Sequence, residues 1–117
     1  MKNLKHKFGA TACERNSIKF PSKLERSCYD WLTGMKKRGK IRMFLRQIPF
    51  DLPGGSKHFV DFCIFTETDV LFVEAKGRDL TLGKLKRKQA EELYDVDIHV
   101  ITEPQQLEKL VTAAESC

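Results

Sequence analysis

The chain predicts a mixed α/β domain: a three-strand antiparallel meander, one crossover strand, and helices flanking the sheet. Three observations point there. A helical period over residues 22–38 is followed by three runs rich in β-branched and aromatic residues. Only short turn-forming segments separate those runs, as a meander requires. A helical stretch then precedes a fourth apolar run, DIHVI at 97–101, as a crossover requires. A chain of 117 residues, 41% hydrophobic and 32% charged, fits one compact domain.

The elements follow in order. Residues 1–19 have no clear period and carry Lys2, Lys5, Lys7, Arg15 and Lys19, which predicts a basic, partly mobile arm ahead of a single domain over 20–117. Pro21 precedes Ser22-Lys23-Leu24-Glu25, a capping-box pattern. Leu24, Cys28, Trp31, Leu32 and Met35 then recur at helical spacing, and Gly39 suits a C-terminal stop, so a helix is expected from Ser22 to Arg38. Tyr29 and Trp31 read as core or core-edge residues. Ile41–Phe50 alternates as a strand, Pro53-Gly54-Gly55 marks a loop, and His58–Phe65 and Val70–Lys76 are two further strands. Lys84–Tyr94 reads as a helix, Asp97–Ile101 as a short buried strand, and Pro104 opens a last helix with Leu107, Leu110 and Val111 on one side.

Several classes are disfavoured. No apolar run approaches the roughly 20 residues that span a bilayer, and the opening Met1-Lys2-Asn3-Leu4-Lys5 lacks a secretory apolar stretch, so a cytoplasmic protein without a membrane partner is expected. The cysteines at 13, 28, 63 and 117 form no C-x-x-C pair and lie away from His6, His58 and His99 at zinc spacing, which argues against a zinc or disulfide framework. Residues 1–50 hold 13 Lys or Arg against three acids, and residues 51–117 hold 8 against 13. A basic half joined to an acidic half suits a polyanion-binding surface beside a cation-binding site; solubility alone is the blander reading.

The two middle strands carry the informative residues. Their turn centres on Glu67-Thr68, and a symmetric hairpin would pair Phe65 with Val70, Cys63 with Phe72 and Asp61 with Glu74. The two acids would then face each other with Cβ atoms about 5 Å apart, and Lys76 would share their face. Like charges opposed in a sheet need compensation, which a divalent cation supplies; Mg²⁺ favours one or two carboxylates plus waters and a phosphate. Lys76 would orient the attacking water, help deprotonate it, or neutralise charge on the phosphate. Alternatively, Lys76 pairs with one acid while the other points to solvent.

Two further residues and one cluster have two readings each. Glu25 is either the N3 residue of the capping box or a further acid facing the site. Gln47 either satisfies a buried backbone group or lines the cleft. Lys84, Lys86, Arg87 and Lys88 form either a solvated helix face or a set of phosphate contacts.

Glu25 on the first helix, Val60-Asp61 on the second strand and Glu74-Ala75-Lys76 on the third resemble the PD-(D/E)XK nuclease superfamily, most of all its small phage-encoded endonucleases of the Holliday-junction-resolvase type. The likeness covers residues 18–101; the proline that names the motif is replaced by Val60. It implies a restriction-endonuclease-like core and a Mg²⁺-dependent endodeoxyribonuclease, with Mn²⁺ able to substitute, leaving 5′-phosphate and 3′-hydroxyl ends. It further implies that Glu25, Asp61, Glu74 and Lys76 are catalytic, and that Asp61, Glu74, Glu25 and the Ala75 carbonyl oxygen bind two metal ions. With little room for a specificity domain, the expected substrate is duplex or branched DNA cut by structure in a bacterial or phage-infected cell. A homodimer is expected and an organic cofactor is not. Two rival readings are a non-catalytic DNA-binding or phage assembly protein on this fold, and a nuclease subunit active only with a transposase or packaging partner.

Overall fold

The computed structural model describes residues 13–115. Strands β1 (Cys13–Arg15) and β2 (Ile18–Phe20) form a small hairpin, followed by helix α1 (Lys23–Lys37), strands β3 (Met43–Asp51), β4 (Lys57–Phe65) and β5 (Val70–Ala75), helix α2 (Thr81–Tyr94), strand β6 (Ile98–Ile101) and helix α3 (Gln106–Glu115). The large sheet has the order β3-β4-β5-β6, with β3, β4 and β5 antiparallel and β6 parallel to β5. This is the α/β class expected, with the meander and the helical crossover in place. No helix among the described residues is long and apolar enough to cross a membrane.

Helix α1 begins as the capping pattern predicts. The Ser22 hydroxyl accepts from the Glu25 backbone N–H at 3.1 Å. Its end is a Schellman motif: with Gly39 at φ +72, the Gly39 N–H reaches the Lys36 carbonyl and the Lys40 N–H reaches that of Met35. Cys28, Leu32 and Met35 pack on Phe62, Ile64, Leu71, Val73 and Ala75 of the sheet, with Leu107 and Val111 of α3 completing that core. Opposite, Ala90 of α2 packs with Phe50, Leu52, Val60 and Ile98, and Ile48, Phe72 and Val96 adjoin.

Part of the expected basic arm is ordered structure. Residues 1–12 lie outside the described residues, but 13–20 form the β1–β2 hairpin, turning through Asn16 and Ser17 at φ +52 and +63. Two left-handed residues in a two-residue loop are what a type I′ turn demands. The hairpin is fastened by an aromatic chain, Phe20 to Tyr29 to Phe44 to Phe62, with successive ring centroids 5.1, 5.6 and 6.3 Å apart. Helix α2 also starts a turn earlier than expected, at Thr81.

Membership of the two cores exposes a break in strand alternation. Phe44 and Phe62 face α1, yet Ile48 and Val60 face α2. Regular strands keep residues of one parity on one face. Both chains therefore slip by one residue, at Gln47 in β3 and Asp61 in β4, while the β3–β4 register is the same on either side. Gln47 sits at φ +53, a left-handed conformation uncommon for a non-glycine residue, and this turns the chain over.

Candidate functional site

The slip determines which way the acids point. Arg46 and Gln47 both project toward α1, where Glu25 in its first turn is 2% exposed. Arg46 donates to Glu25 Oε2 at 2.8 Å, and Gln47 Nε2 donates to the same oxygen at 3.0 Å. Gln47 Nε2 also reaches Asp61 Oδ1 at 3.3 Å. Arg46 is aimed by the hairpin: its guanidinium stacks over the Phe20 ring, 4.3 Å from the centroid. Of the two readings of Glu25, the side chain takes the site-facing one, and only the Ser22 half of the capping box is formed. Its backbone N–H is capped by Ser22, and its side chain turns into the site.

The β4–β5 hairpin holds the expected register from Phe65↔Val70 to Phe62↔Val73. It does not continue to an Asp61–Glu74 rung. Asp61 Oδ2 instead accepts from the Ala75 backbone N–H at 2.9 Å, at the fork where the two strands part. The expected face-to-face pair is therefore corrected. Asp61 turns toward Glu25, whereas Glu74, on the unbroken strand β5, keeps the parity of Phe72 and points to α2.

Glu74 is fully buried there. His58 Nε2 is hydrogen-bonded to Glu74 Oε2, and Arg87 of α2 approaches Oε1 at 3.4 Å. Arg87 also grips Asp79 with both terminal nitrogens, at 3.1 and 2.6 Å. That hydrogen bond and the guanidinium charge hold the Asp79 carboxyl below its usual range, and Asp79 in turn raises the Arg87 pKa. Arg87 was expected among the phosphate contacts. Its helical phase, three residues before buried Ala90, turns it inward, and its guanidinium is engaged by two acids. His58 was not singled out from the sequence; its signal was parity with Val60 on a strand face that also holds a buried acid.

Lys76 follows β5 directly, anchored by its backbone N–H to the Ile101 carbonyl at 2.9 Å. By strand parity it lies on the side of Glu74, away from Asp61. It lines a cleft of about 310 Å³ with Arg78, Asp79, Leu80, Leu82, Gly83 and Lys86, at the start of α2. Lys84 and Lys88 are exposed. The cleft sets Lys76, Arg78 and Lys86 around Asp79, so the predicted lysines divide between cleft (Lys76, Lys86) and outer helix face (Lys84, Lys88).

The electrostatics of the α1 side are unbalanced. Burial raises the Glu25 pKa, the Asp61 charge raises it further, and Arg46 and Gln47 oppose the shift without cancelling it. Neighbouring Cys28 is pushed up to about 12 by burial and by the same two carboxylates, so it is an inert thiol packed in the core. Among the described residues, no three His, Cys, Asp or Glu side chains converge on one point as a metal-binding group. The donor chemistry nonetheless suits a hard cation. Glu25 and Asp61 supply carboxylate oxygens beside each other, and Mg²⁺ takes one or two carboxylates with waters filling the remaining positions.

No protein-family model matches the chain, and no curated protein or solved structure is detectably similar to it.

Proposed function

We propose that the protein is a divalent-cation-dependent endodeoxyribonuclease of restriction-endonuclease-like core, hydrolysing phosphodiester bonds at the β4–β5 fork. The observation that carries this reading is the ladder break itself. It forgoes a strand rung, adopts a left-handed glutamine, and sets two buried acids together with, among the described residues, Arg46 as their one paired cation, while the next strand presents Glu74-Ala75-Lys76. Such local cost accumulates where a site needs it.

Asp61 and Glu25 would hold a Mg²⁺ or Mn²⁺ ion, with the Ala75 carbonyl as the further ligand that the superfamily resemblance implies; Glu74, which the same resemblance would add, is turned toward α2 and engaged by His58 and Arg87, so it is not counted among the ligands. When bound, the ion would lower the pKa of a coordinated water and polarise the phosphoryl oxygens. The chain's own residues do the rest. Gln47 fixes the spacing of Glu25 and Asp61, and Arg46 keeps Glu25 turned inward. Lys76, flanked by Arg78 and Lys86, holds the phosphate by charge and offsets the negative charge that grows on it during in-line attack. The exposed Lys84 extends the positive surface along the DNA backbone without reading bases. Branched DNA is the substrate class that the superfamily resemblance points to.

A second reading, a DNA-binding protein without catalysis, is favoured by one observation. Both Glu74 oxygens already have cationic or hydrogen-bonding partners in His58 and Arg87, as in a structural network. Supercoiled-plasmid nicking in Mg²⁺, Mn²⁺ and chelator separates the two. Metal-dependent nicking that Asp61→Asn abolishes supports the nuclease; DNA binding without nicking in any metal supports the alternative.

A further inference from the structure

Helix α2 buries Arg87 and Ala90 against the sheet and leaves its opposite face bare. That face is apolar: Leu82, Leu85 and Leu93 are 65%, 58% and 55% exposed, with exposed Gln89 between them. At 100° per residue these four positions fall in one narrow stripe. Three exposed leucines on one stripe are more than scattered surface apolar residues account for.

Charge on the same helix is segregated by sign. Lys84, Lys86 and Lys88 occupy the first half, and Glu91 and Glu92 the second, with no acid in the first turn and no base in the last. This arrangement opposes the helix dipole, which favours anions at the N-terminus and cations at the C-terminus. It is matched, however, by the same helix running the other way.

We propose that the exposed face of α2 is a self-complementary interface to a second copy of this chain, the two helices packing antiparallel about a two-fold axis near Gln89. In that register Leu85 of one copy lies against Leu93 of the other. Lys88 and Glu92 share one flank of the stripe, so each Lys88 meets the other copy's Glu92, twice per dimer. The leucines supply the driving force, the charges fix the antiparallel direction, and the opposed dipoles compensate each other. A polyanion fits this surface poorly, because its centre is apolar and its distal half acidic. The inference rests on the helix alone and does not depend on the nuclease reading.

Sedimentation velocity of the full chain without DNA tests it. The wild type is expected to sediment as a dimer, twice 13.5 kDa, at concentrations up to about 100 μM, suitable for an interface of one helix face. Lys88→Glu and Glu92→Lys, each placing like charges on the flank, are expected to be monomers alone and to form a mixed dimer when combined, because the two acids of one variant then face the two lysines of the other. Leu85→Asp is expected to be monomeric in every mixture. All three positions are exposed, and circular dichroism checks that the variants remain folded. A monomeric wild type overturns the proposal. So does a dimer that both charge variants retain, or failure of the mixture to restore dimers.

Discussion

Asp61 accepts a hydrogen bond from the Ala75 backbone N–H where the next rung of the β4–β5 ladder would lie. A side-chain carboxylate thereby takes over a backbone donor that the parting strand would leave unsatisfied. The same bond ties the aspartate to the strand that carries Glu74 and Lys76. The fork is thus held by one of the residues proposed to work in it.

Glu25 gives a pH signature. Its folded pKa lies above the ordinary 4.5, first through burial and then through Asp61. The folded protein therefore binds this proton more tightly than the unfolded chain, so the stabilisation is complete below the unfolded value and is lost as pH rises through the raised folded value. Glu25→Gln removes the titration and the repulsion of Asp61. Urea melts across this pH range should show the variant without that downward component, and at neutral pH at least as stable as wild type in the absence of metal. A variant clearly less stable at neutral pH would mean that the Arg46 pair outweighs the repulsion.

Arg87 and Lys88 are neighbours in sequence with opposite expected outcomes. Arg87→Ala leaves fully buried Glu74 short of a cation and should cost about 3 kcal/mol. Lys88→Ala should stay within about 0.5 kcal/mol. Lysine at 87 would not restore the loss, because it cannot span Asp79 and Glu74 with a planar fork. Chemical denaturation at pH 7 measures all three, and equal effects of Arg87→Ala and Lys88→Ala would contradict the inward placement.

Gln47 should invert an ordinary preference. Glycine normally weakens a strand interior relative to alanine. At φ +53 alanine retains the left-handed strain, whereas glycine has none. Gln47→Gly is accordingly expected to be more stable than Gln47→Ala by about 1 kcal/mol, although both lose the bridge between Glu25 and Asp61. The reverse order in thermal melts would mean that the slip does not depend on this residue.

The architecture was legible because its signals are long. The Leu24-to-Met35 period and its Ser22 cap mark α1, three dense β runs mark the meander, and the Glu67-Thr68 turn sets a hairpin register that holds for four rungs. The short hairpin was not legible: its strands are three residues each, and Asn16-Ser17 lacks the glycine that usually marks such a turn. Nor was the slip at Gln47, since no glycine or proline marks it, and a one-residue slip moves a side chain to the other face. That single feature separates Asp61 from Glu74 and joins it to Glu25. Arg87 could have been placed by helical phase with Ala90, but its three basic neighbours suggested a surface run.

The most direct test of the central claim is cleavage of end-labelled four-way junction, flap, duplex and single-stranded DNA in Mg²⁺ or Mn²⁺, with binding to the same DNAs measured in parallel. The nuclease reading predicts metal-dependent cutting that favours branched substrates and leaves 5′-phosphate ends. Lys76→Met and Asp61→Asn should slow cutting by at least about 100-fold while binding is retained, the scale expected when a transition-state charge partner is lost. Wild-type protein that binds these DNAs but cuts none of them in either metal would contradict it.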